Sequence, residues 1–224
     1  MTQVRLDEMV CPPHQEQTMT MWPVAGGLDV LAESCEDCGS RFAAALDEAG
    51  GSELTVLTQP DLSADAKEWS VAIHEAGHAA IAAVTGRQVL SAEAYPWDSA
   101  PADYVGRVIV ADELNASTAL GYVAGNLAGQ EAAVKWLAES GRDTPATILG
   151  ARYGSHADNA RAAEISRRYG VSVESGLAVC REILDDRWPQ VRILAGDLLS
   201  QTYLDGPEVH RVFDARTDDD TDTY

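Results

Sequence analysis

Ile73-His74-Glu75-Ala76-Gly77-His78-Ala79 is the stretch on which the reading of this chain turns. The surrounding sequence has the marks of one long helix over residues 63–85. Ser63 or Asp65 can cap its start, small residues recur at Ala72, Ala76, Gly77, Ala79 and Ala80, and Gly86 stops it. On a helix of 3.6 residues per turn, positions four apart lie one turn above each other, about 40° round the axis. The imidazoles of His74 and His78 therefore point the same way and can share one tetrahedral Zn2+ at about 2.0–2.1 Å each. Glu75 projects one step round, beside the ion and not on it.

A carboxylate in that position can take a proton from water that zinc has acidified, which is the logic of H-E-x-x-H in zinc peptidases. The small residues flanking the motif let a second element approach closely. Two histidines do not complete a catalytic site, which needs three protein ligands and one open position. By residue type Asp112, Glu113, Glu131, His156, Asp158 and Glu164 all qualify as the third, and spacing alone does not choose among them.

Downstream, residues 88–95 and 104–110 read as two short strands separated by a Pro-containing loop. A second helix opens at Asn115 or Ser117 and runs to Glu139 before Gly141. Further helices are expected over 157–169, stopped by Gly170, over 173–186, and over 190–204 beyond Pro189. Asp205-Gly206-Pro207 reads as a turn, followed by a short segment through Phe213. Three zones result: a heterogeneous N-terminal module at 1–62, the helical zone at 63–213, and an acidic tail at 214–224. That tail has five Asp in eleven residues, and its composition suits disorder. In the first zone a short helix over 41–49 and a strand over 54–57 are expected.

Across 224 residues, 46% hydrophobic and 23% charged content is ordinary for a globular chain. The charge is not: 16 Lys+Arg against 36 Asp+Glu give a net −20, a surface that repels phosphate backbones and anionic lipid. Nucleic-acid and membrane binding are therefore not expected. No apolar run reaches the roughly 18 residues of a membrane span. The N-terminus has no basic start followed by an apolar stretch, so no secretory signal is expected. Four cysteines are too few and too unevenly placed for a disulfide framework, and the default expectation is a cytoplasmic setting.

The motif and the residues downstream of it resemble the peptidase domain of the FtsH-type, ATP-dependent zinc proteases. HEAGHA at 74–79 is the form the motif takes in that family. Leu127-Ala128-Gly129-Gln130 resembles its Leu-Gly-Gly-Arg segment, and Gly154-Ser155-His156-Ala157-Asp158-Asn159 its Gly-Ala-Ser-Asn-Asp-Leu stretch. Tyr169-Gly170-Val171-Ser172 is similar to its Tyr-Gly-Met-Ser. The likeness extends collinearly over about residues 66–213. It implies a mainly α (α+β), zincin-like fold with a small β-element beside the motif helix. It also implies hydrolysis of peptide bonds with Glu75 as general base, and zinc held by His74, His78 and Asp158. On the residues alone, His156 and Glu131 stay open as rivals to Asp158.

The chain departs from the family by losing the Arg of Leu-Gly-Gly-Arg, which is Gln130 here. It also contains no G-x-x-x-x-G-K-[ST] phosphate-binding loop. The expected substrates are thus peptides or unfolded, flexible protein segments. A partner ATPase acting in trans would extend that range, and a homo-oligomer is the other partner the resemblance leaves open. Two other functions stay open: a catalytically silent, zinc-stabilised regulatory or assembly subunit, and a zinc hydrolase of a non-peptide amide.

Two smaller readings complete the sequence. Cys11 and His14, with Cys35 and Cys38, have the C-x-x-H and C-x-x-C spacing of a structural zinc site, against the alternative of unlinked thiols. Cys180 falls at an apolar helical position and should be buried. Trp22, Trp69, Trp97, Trp136 and Trp188 are scattered as core or contact residues, with Tyr95-Pro96-Trp97 placed to rim a cleft.

Overall fold

In the computed structural model the described residues are 62–97, 100–111 and 113–214, together with the backbone of six strand segments between residues 10 and 57. The first two strands, β1 (Val10–Cys11) and β2 (His14–Thr18), form an antiparallel pair. The next four are β3 (Trp22–Pro23), β4 (Val30–Ser34), β5 (Arg41–Leu46) and β6 (Ser52–Leu57), an antiparallel sheet in chain order. This corrects the helix expected over 41–49. The run Arg41-Phe42-Ala43-Ala44-Ala45-Leu46 has helical propensity, yet it pairs with β4 on one side and β6 on the other. Ladder pairing on both edges overrides a local preference worth tenths of a kcal/mol per residue.

From residue 62 onward the protein is mainly helical with one small sheet. Helix α1 (Ala64–Val84) starts at Ser63, whose Oγ accepts from the Ala66 amide at 3.4 Å, and stops at Gly86 with φ +75°. Strands β7 (Val89–Trp97) and β8 (Ala100–Val110) follow as an antiparallel hairpin. Helix α2 (Ala119–Glu139) ends before Gly141, again at positive φ. Then come α3 (Pro145–Gly154), α4 (His156–Tyr169), α5 (Val173–Asp186) and α6 (Trp188–Gln201). Strand β9 (Tyr203–Asp205) and helix α7 (Gly206–Asp214) follow.

Several of these elements differ from expectation, among them β8, which begins at Ala100 and not at 104, and α7, which begins at Gly206 where a turn is expected. Helix α3 lies where no element is expected. Pro189 sits in the first turn of α6, where its missing N–H costs nothing, so α6 begins before the proline. The same helix ends at Gln201, because Thr202 turns to φ +62° and Tyr203–Asp205 joins β7 as a third strand, giving the order β8-β7-β9.

The core is built where α1 meets α2, α6 and the sheet. Ile73, Ile81, Leu184, Leu194 and Leu198 are fully enclosed, surrounded by Ala72, Ala76, Ala80, Ala128 and Ala132. Small residues bring α1 and α2 together: a methyl group at Gly77 would lie 2.7 Å from the Ala128 carbonyl oxygen and from the Ala132 side chain. Cys180 is buried in this core, as expected, and burial pushes its thiol up to about 12. Among the described residues no helix is long and apolar enough to cross a membrane.

Candidate metal centre

Helix α1 delivers His74 and His78 to one place, and the first turn of α4 delivers Asp158 to the same place. The Nε2 atoms of the two imidazoles are 3.0 Å apart. Asp158 Oδ2 lies 3.4 Å from His74 Nε2 and 3.6 Å from His78 Nε2. Four ligands placed tetrahedrally at about 2.0–2.1 Å from a zinc ion are separated from one another by about 3.3–3.4 Å. Three atoms with separations of 3.0, 3.4 and 3.6 Å bracket that value. The arrangement is close enough to hold a metal ion, and it is the one such group of His, Cys, Asp and Glu among the described residues.

The residues behind these three side chains orient them. His78 Nδ1 donates to the Gly125 carbonyl of α2 at 2.6 Å. A carbonyl can only accept, so Nδ1 carries the hydrogen and Nε2 is left to face the other two ligands. The His74 ring rests on α2 at Gly129, where a methyl group would lie 2.4 Å from Nε2. The two rings meet edge to face, with centroids 4.6 Å apart. Asp158 sits in the first turn of α4, where the helix dipole favours a negative charge.

Electrostatics separates the two acids of the site. For Asp158, burial works to raise the pKa, but the bonds from His74 and His78 outweigh it and hold the carboxyl below the ordinary range. Burial likewise lowers the basicity of His78. The Asp158 bond, the charges of Glu75 and Asp158 and the Gly125 carbonyl together overcome it, raising its pKa to about 9. Glu75 goes the other way. It is 6% exposed, and its pKa is raised by burial and by the Asp158 charge, against the pull of the two imidazoles. Its carboxylate makes no hydrogen bond among the described residues. The side chain lies on Gly106 of β8, where a methyl group would come within 2.3 Å of Cγ.

Two of the rivals for third ligand, Glu131 and Glu164, are engaged elsewhere. Glu131 receives a bond from Arg181 of α5 at 2.7 Å, and Glu164 one from Arg161 at 2.6 Å. Glu113 is exposed in the loop before α2. His156 is the first residue of α4; its side chain, that of Trp97 and all of Asp112 lie outside the described residues, and Tyr95 is exposed. The backbones of Cys11 and His14 pair across β1 and β2, whereas Cys35 and Cys38 lie outside the described residues, and with them the expected four-residue zinc site.

Sequence reasoning missed the two glycines that receive the working side chains. The available signal was a glycine in the interior of an otherwise regular strand at 106, and another in mid-helix at 129. Compared with family models and with curated proteins, the chain matches none.

Proposed function

We propose that this chain is a zinc metallopeptidase of zincin-like fold, similar to the FtsH-type peptidase domain, that cleaves peptides and unfolded or flexible protein segments without ATP. One observation carries the reading: three ligand atoms at zinc-site separations stand beside a buried glutamate whose carboxylate makes no hydrogen bond among the described residues. A purely structural metal site has no use for that acid, nor for the glycine whose absent side chain makes room for it. This weighs against the silent regulatory subunit.

In this reading His74, His78 and Asp158 would hold Zn2+. The ion supplies Lewis acidity, polarising the scissile carbonyl and acidifying water beside it. Glu75 takes a proton from that water at its carboxylate and passes it to the departing amine nitrogen. A carboxyl whose pKa burial has raised is suited to both halves of that exchange. His78 is kept in one tautomer by the Gly125 carbonyl, and His74 is kept on the face of α2 by Gly129. The setting we propose is cytoplasmic, with peptide substrates, a homo-oligomer as one assembly and, for folded substrates, a separate ATPase acting in trans.

Glu75→Gln tests the reading. The amide keeps the shape and the neighbouring ligands but cannot accept the proton, so cleavage of a peptide library should fall by about 10²–10⁴-fold with zinc content unchanged. Unchanged cleavage would refute the assignment of Glu75 as the base. Wild-type zinc protein that leaves peptides and casein intact would refute the peptidase reading.

A further inference from the structure

Helix α4 brings Asp158 to the two histidines, so whatever fixes α4 against α2 fixes the third ligand. Most of that contact is smooth: Val123 and Leu127 of α2 meet Ala162 and Ile165 of α4. Aliphatic surfaces of this kind set the distance between two helices but resist sliding poorly. A slide by one residue would carry Asp158 about 1.5 Å along the axis, enough to spoil a ligand bond of about 2 Å.

One polar contact interrupts the aliphatic surface. Asn159 Nδ2 donates to Gln130 Oε1 at 2.8 Å, joining the residue after Asp158 to the residue after Gly129, which supports the His74 ring. Asn159 is 1% exposed, and its Oδ1 is buried without a hydrogen-bond partner among the described residues. Leaving an amide oxygen buried and unpaired is costly, and an apolar side chain of similar size would avoid that cost. The pair is therefore a poor choice for stability and a good one for register, because a directed bond has one geometry where an aliphatic contact has many.

We propose that Gln130 and Asn159 are positioning residues that lock the first turn of α4 to α2 and so preset Asp158 for the metal. This rests on the metal-site reading above. The test is zinc affinity, measured by competition with a chelator, alongside thermal unfolding of the metal-free chain. Asn159→Leu should leave the metal-free protein as stable as wild type or more so, while zinc affinity falls by about 10–100-fold, the range for support behind a ligand. Gln130→Leu should lower zinc affinity by a similar factor but also lower the metal-free stability, because it leaves the buried Asn159 amide wholly unpaired. Exchanging the two, with Gln130→Asn and Asn159→Gln in one chain, keeps an amide pair and should recover affinity toward wild type. Wild-type zinc affinity in both leucine variants would overturn the clamp while leaving the metal site standing. An Asn159→Leu protein whose affinity loss matches its loss of metal-free stability would overturn it too, since the pair would then be a plain packing contact. Absence of zinc binding in the wild type would overturn the metal-site reading and the clamp with it.

Discussion

Replacing Gly106 by alanine should separate cleavage from metal binding. A methyl group at 106 would lie 2.3 Å from Glu75 Cγ and 2.7 Å from its Cδ and Oε1, and these are the three nearest atoms. Carbon–carbon contacts settle at about 3.5–4.0 Å, so the Glu75 side chain must withdraw by about 1.2–1.7 Å. The backbone at 106 is not at positive φ, so alanine brings no backbone strain and meets Glu75 first. Misplacing a catalytic group by about 1 Å costs about 10²-fold in rate. Overpacking should cost about 1–3 kcal/mol of stability, visible as a lower Tm. The expected result for Gly106→Ala is therefore kcat/KM on peptides down about 100-fold, with zinc affinity within about twofold of wild type. The matching change at Gly129 should do the opposite. Its methyl would lie 2.4 Å from His74 Nε2, so Gly129→Ala should lower zinc affinity by about 10–100-fold. Chelator competition and peptide cleavage on the two variants read both effects. A Gly106→Ala protein that cleaves at the wild-type rate, or loses zinc and activity in parallel, would refute the placement of Glu75.

Two further outcomes come from the same geometry. In metal-stripped protein His78 keeps its proton up to about pH 9, so zinc must displace it, and binding at about pH 7–8 should release about one proton, read by calorimetry in buffers of different ionisation heat. The sign for stability agrees: a histidine whose folded pKa is raised stabilises the metal-free fold fully below about pH 6.5 and loses that contribution as pH climbs through about 9. Metal-free protein that is no less stable at about pH 9.5 than at about pH 6.5 would contradict this. Leu194→Ala, at a fully enclosed position of α6 in the core shared with α1, should cost about 2–5 kcal/mol in chemical denaturation; a loss below about 1 kcal/mol would place that core elsewhere.

The parts legible in the sequence were those with local signatures. His74, Glu75 and His78 follow from helical periodicity, and the helix ends at Gly86, Gly141 and Gly170 follow from glycines that the structure puts at positive φ. Asp158 was not legible from spacing, because nothing local links a residue 80 positions beyond His78 to the motif helix; the family resemblance supplied it. Strand β9 is three residues long and exists through pairing with β7, so no periodicity could announce it. The helix expected over 41–49 failed for a related reason, since neighbours on both sides decided the conformation of Arg41–Leu46. Gly106 and Gly129 read as weak points in a strand and a helix until Glu75 and His74 are seen to lie on them.

The most direct measurement is zinc bound per chain in the wild type and in the double variant His74→Ala/His78→Ala, each dialysed against the same buffered zinc. Gripped by two rings of α1 and a carboxylate of α4, one ion should disappear with the rings, whatever the cysteines near the N-terminus retain. Equal zinc in both proteins would contradict the account.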